Sequence, residues 1–106
     1  MSTPKPEAVL ELEDRLHKLS FDNNCWLGWE TETKRPITEA NLGNPKDLQM
    51  LLYLMLKEED PSVTFEATGK MFGWWNLVEV QNAIAKCIGL SLPMKKEEPS
   101  EAPNRT

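Results

Sequence analysis

Apolar positions are densest between Asn44 and Glu59, NPKDLQMLLYLMLKEE, and the rest of the chain reads as elements gathered about that stretch. Asn44 is a helix-capping residue, and Pro45 suits the first helical position, where no backbone donor is needed. Asp47 places a negative charge at the positive end of the helix dipole. Asp60-Pro61 stops the helix, because the residue before a proline avoids the α region. Leu48, Leu51, Leu52, Met55 and Leu56 recur at helical spacing. Met50, Tyr53 and Leu54 add apolar surface off that stripe. A helix apolar nearly all round must be covered on more than one side, by its own chain or by another molecule.

The flanking patterns are shorter. Residues 1–8 read as a flexible, polar N-terminus with two prolines at Pro4 and Pro6. Residues 8–21 admit two readings. As a helix, Val9, Leu12, Leu16 and Leu19 form a stripe. As two strands, Leu10 and Leu12, then His17, Leu19 and Phe21, alternate with polar residues about a turn at Asp14-Arg15. Asp22 caps the next helix, with Phe21 and Trp26 spaced as a hydrophobic staple. Cys25, Trp26 and Trp29 share a core-facing side, and Gly28 in their midst asks for tertiary support. That helix ends near Lys34, and residues 35–43 form a connection anchored by Ile37 and Leu42.

Beyond the central helix, Thr64 caps a short helix that runs to Phe72, with Phe65, Met71 and Phe72 facing inward and Gly73 ending it. Asn76 and Glu79 have the spacing of a capping box, and Trp75 and Val80 that of a staple. Leu77, Val80, Ile84, Cys87 and Ile88 make the apolar stripe of a last helix that Gly89 ends. Residues 91–106, SLPMKKEEPSEAPNRT, carry three prolines and little to bury, and read as a disordered tail.

Composition narrows the function classes. At 106 residues the chain fits one small domain, and 40% apolar content permits only a modest core. The apolar runs are too short to span a bilayer, and the first residues lack the apolar core of a signal peptide. The net charge is −5, and the basic residues are scattered rather than striped, which argues against nucleic-acid binding. No nucleophile elbow, phosphate loop or HExxH pair is present, so no enzyme activity and no cofactor is expected. Cys25 and Cys87 form no CxxC pair and read as buried thiols of a reducing cytoplasm. His17 has no nearby cysteine to share a metal with, and Glu58-Glu59-Asp60 lacks the alternation of a calcium loop. Four tryptophans are left to place. Trp26 and Trp29 read as core, whereas Trp74 and Trp75 suit core or interface equally. With Met50, Tyr53 and Leu54, Trp74 and Trp75 complete the candidate partner-binding set.

The order of motifs adds a resemblance. LSFDNNCWLGWE precedes RPITEANLGNPKDLQMLLYLML, then come EEDPSVTFEATGKMF and NLVEVQNAIAKCIGL. From about residue 9 to 90 this resembles the tail assembly chaperones of long-tailed bacteriophages and related gene transfer agents. Cys25-Trp26 and Trp74-Trp75 depart from the family's pattern. The resemblance implies a short hairpin rather than a helix over residues 9–21, followed by about four helices. The expected fold is therefore mostly α (α+β), with a single domain over residues 9–90. It also implies a host-cytoplasmic, non-enzymatic helper that binds the tape measure protein and recruits tail tube protein; the surplus apolar surface of the central helix could serve a homo-oligomer as well. Family members often have a longer, frameshifted form, and Lys95-Lys96 lies where such a site would fall.

Overall fold

The structure, a computed structural model, describes residues 6–89; the expected tail and Lys95-Lys96 lie outside them. Two strands, β1 (Glu7–Leu12) and β2 (Arg15–Ser20), form an antiparallel hairpin. Four helices follow: α1 (Asn23–Thr33), α2 (Pro45–Glu59), α3 (Phe65–Gly69) and α4 (Leu77–Gly89). A single 3-10 turn, Ile37–Glu39, lies in the α1–α2 connection. The mostly helical fold with an N-terminal hairpin is thus the expected one. Glu7 and Ala8, assigned from sequence to a flexible terminus, instead belong to β1.

The hairpin follows the alternation in its sequence. Ala8, Leu10, Leu12, His17 and Leu19 turn inward, while Val9 and Leu16 stay outside. The turn is Glu13-Asp14, one residue earlier than expected, and both residues have positive φ (52° and 65°). Neither Glu13-Asp14 nor Asp14-Arg15 contains the glycine that would mark a turn in advance. The observed register sets small Ala8 opposite Leu19 and Leu10 opposite His17.

Caps set the helix starts. Asp22 accepts from the Cys25 N–H, Asn44 from Lys46 and Asp47, and Thr64 from Ala67. Lys34 closes α1 in the left-handed conformation, its N–H bonded to the Glu30 carbonyl. The helix expected from Thr64 to Phe72 is a single turn. After Gly69 the backbone tightens to three-residue bonds, Lys70 to Ala67 and Met71 to Thr68, and the Gln49 amide takes the Phe65 carbonyl. A Cβ on Gly69 would stand 2.6 Å from that amide.

α2 is covered on several sides by its own chain. Leu48, Leu51 and Leu52 are fully buried in one cluster with Val80 and Ile84 of α4, which Leu77 flanks. Gly28 of α1 lies so close that a Cβ there would meet Leu54 at 2.8 Å. This close approach supplies the support that a mid-helix glycine needs. Leu54 is accordingly buried, which corrects its assignment to a partner-facing surface. Trp29 is wholly buried, but Trp26 is 40% exposed and donates its indole N–H to Glu30. Cys25 and Trp29 are four apart and share the buried face; Trp26 is rotated about 100° off Cys25, so its core assignment is corrected.

Two polar links tie the ends of α2 to the rest. At its start, buried Asp47 accepts from Arg35 at 2.5 Å and from the Asn41 N–H at 3.1 Å. Arg35 in turn lies 5.1 Å over the Trp29 ring. At its end, Glu59 meets His17 Nδ1 at 2.6 Å and accepts the Lys18 N–H at 3.4 Å.

Leu52→Ala should cost about 2–5 kcal/mol in chemical denaturation, as for other buried leucines. A loss under about 0.5 kcal/mol would place Leu52 at the surface. Asp47→Ala strands the Asn41 N–H and removes the partner of Arg35. A loss of roughly 1–3 kcal/mol is expected, and none at all would mean that this link holds nothing.

Candidate protein-binding site

The connection from α3 to α4 is a tight corner built by one side chain. Asn76 accepts from the Gly73 N–H at 3.0 Å and donates to the Met71 carbonyl at 3.1 Å. Its amide therefore turns back into the corner and does not form the capping box expected with Glu79. The Val80 N–H meets the Asn76 carbonyl, which starts α4. This geometry pushes two consecutive indoles outward: Trp74 is 91% exposed and Trp75 is 73% exposed. The Trp75 ring folds over Gly73, where a Cβ would stand 2.3 Å from the ring. The staple expected between Trp75 and Val80 is thus replaced by packing on the corner itself, and Val80 is buried in the core.

The two tryptophans open onto different hollows. Trp74 borders a mostly apolar one of about 350 Å³, walled by Leu42, Pro45, Leu48, Phe72 and Leu77. Trp75 borders a longer groove of about 710 Å³ between β1 and α4. An exposed tryptophan beside an apolar hollow is the usual anatomy of a protein-binding anchor, since the ring carries large apolar area with one donor. Met50 and Tyr53, also expected here, lie apart from this corner along α2 and are half-buried. Tyr53 packs edge-on against Phe65, with ring centroids 5.9 Å apart, under the Lys57 ammonium at 5.4 Å. Of the five expected residues, the fold gathers Trp74 and Trp75 and separates the others.

The other polar clusters read as structural. His17 is buried against the end of α2 and spends Nδ1 on Glu59. The ligand atoms of Asp22, Cys25 and Glu58 lie within 4.8 Å of one another. However, burial pushes the Cys25 thiol up to about 12, so it stays protonated and donates to the Leu54 carbonyl at 3.6 Å. Burial raises the Cys87 thiol as well, and no disulfide joins the two cysteines. Among the described residues no helix is long and apolar enough to cross a membrane.

Two outcomes follow from this geometry. At pH 8 the Cys25 thiol, near 12, is ionised in roughly one molecule in ten thousand, and Cys87 is fully buried with its thiol also raised by burial. Both cysteines should therefore resist a thiolate-selective reagent in the native protein and react fully once it is unfolded; fast native reaction would contradict their burial. Trp74→Phe/Trp75→Phe should remove most acrylamide-quenchable fluorescence, whereas Trp29→Phe should leave it. Equal effects of the two changes would show that the corner is covered.

Comparison with protein-family models, with curated proteins and with solved structures finds no match for this chain.

Proposed function

We propose that the chain is a non-enzymatic tail assembly chaperone of the kind made by long-tailed bacteriophages. In this reading it works in the cytoplasm of the bacterial host, binds the tape measure protein and helps recruit tail tube protein. Self-association along the rod-like partner would add avidity without new contacts. Two things support the reading: the order of motifs from Phe21 to Leu90, and the exposed pair Trp74 and Trp75 beside an apolar hollow. The motif order carries the family reading, from which Trp74-Trp75 departs; the exposed pair supports protein binding as such, because adjacent exposed indoles are the type of side chain that anchors protein interfaces. The same surface also fits a general adaptor, which is the alternative reading.

Co-expression with a tape measure protein, sought as a very long, helix-coding neighbouring gene, separates the two. The expected result is a soluble complex that survives a sizing column. Trp74→Ala/Trp75→Ala should weaken it by about 30-fold or more, given about 2 kcal/mol for an anchoring tryptophan. If the tape measure protein is equally soluble alone and no complex forms, the chaperone reading fails and the adaptor reading replaces it.

A further inference from the structure

The groove beside Trp75 has a feature that the tryptophan corner does not use. In a hairpin with a two-residue turn, the residues flanking the turn form a hydrogen-bonded pair, and such pairs then alternate along the ladder. Leu12 with Arg15, Leu10 with His17 and Ala8 with Leu19 are therefore the bonded pairs. The backbone groups of Glu7, Val9 and Glu11 point away from β2, as do those of Leu16, Lys18 and Ser20 from β1. The outer edge of β2 is served by the helices: the Lys18 N–H goes to Glu59 and the Ser20 carbonyl accepts from the Cys25 thiol. Among the described residues, no hydrogen bond reaches the outward groups of Val9 and Glu11 on β1.

That open edge forms one wall of the groove. The consecutive residues Ala8–Glu11 line it, and the opposite wall is one face of α4, Glu79, Ala83 and Lys86, at helical spacing, continued by Trp75 just before the helix. At 1.5 Å per residue this α4 face, from Glu79 to Lys86, is about 10 Å long, the span of roughly three extended residues. The length matches Val9–Glu11. The groove is acidic, with Glu11, Glu13, Asp14 and Glu79 around it against Lys86. Val9 stands 66% exposed between Glu7 and Glu11 on the outer face. Glu7 already pairs with Lys18 at 3.6 Å, so the unanswered charge lies toward the turn.

We infer that this edge takes an extended segment of a partner protein as a third strand, one that presents basic–apolar–basic side chains at alternate positions. The backbone of the segment would complete the Val9 and Glu11 hydrogen bonds. Its apolar residue would meet Val9, and a basic residue would meet Glu11 and the acids at the turn. This is strand addition, a mode in which the main chain supplies affinity and alternate side chains supply specificity. A second copy of this chain fits poorly. Antiparallel pairing of two β1 edges about Val9 sets Glu7 opposite Glu11 twice, and like charges directly opposite destabilise a ladder. The inference does not depend on the tail-chaperone reading, because the groove and the edge are the same whatever the partner's identity.

The probe is a blocked heptapeptide, Thr-Lys-Thr-Val-Thr-Lys-Thr, titrated into the isotope-labelled full chain. Amide shifts at Val9 and Glu11 should saturate, and exchange of those two amides should slow. Methylating the peptide nitrogens at alternate residues should abolish binding in one phase and spare it in the other, since only one set of peptide N–H groups can face β1. Glu11→Lys/Glu13→Lys, both exposed and outside the core, should weaken binding by about tenfold. The inference is overturned if no saturable shift appears at millimolar peptide, or if both methylated phases bind equally. The first result would mean that the glutamates merely guard the edge against pairing, the second that only charge attraction operates. Unchanged affinity in the double variant would overturn the basic partner. Protection of Val9 and Glu11 without peptide would also overturn it, in favour of another part of this chain if independent of concentration, or of a second copy if it grows with concentration.

Discussion

Burial of α2 is the constraint on which every other element depends. Leu48, Leu51 and Leu52 have no exposed surface, and Leu54, Met55 and Leu56 have almost none. No single neighbour in a chain this short could cover that much of one helix. The hairpin lies against one side through His17 and Lys18 at Glu59, and α1 lies against another at the Gly28–Leu54 contact. α4 contributes Val80 and Ile84 to the same cluster, and the short α3 closes down on Gln49 and Tyr53. A lone two-stranded hairpin and a one-turn helix have little stability of their own. Both exist here because α2 gives them a surface to cover.

This arrangement changes where an interaction surface can be. An all-round apolar helix suggests a face left over for a partner, but the chain consumes most of that face itself. Apolar area remains outside at Trp74 and Trp75, held out by the Asn76 corner, and along the edge of β1 at Val9. Neither place contributes to the core. The corner offers two aromatic anchors and a hollow, and the edge offers backbone groups in an acidic setting. One favours a compact apolar contact, the other an extended basic one.

Local chemistry made much of this legible from sequence. The caps at Asp22, Asn44 and Thr64 need only a short oxygen at the right offset, and all three act as read. The in-and-out alternation of Leu10, Leu12 and Leu19 likewise survives into the hairpin. What escaped depends on contacts between distant residues. Leu54 is buried because Gly28, in another helix, lets the two backbones come close. Trp26 and Trp29 differ by their phase around α1, which a shared apolar label does not resolve. Asn76 had two ways to spend its side chain, and the corner at Gly73 decided between them. The groove beside β1 was not legible at all, since its walls come from opposite ends of the chain and no motif marks a strand edge.

Native-state hydrogen exchange of the α2 amides tests the central claim most directly. If α2 is the element the others cover, Leu51, Leu52 and Met55 amides should exchange only through global unfolding, with the highest opening free energies in the protein. The hairpin and α3 should open first. Exchange of those α2 amides through a partial opening, with α4 and the hairpin still protected, would contradict the account.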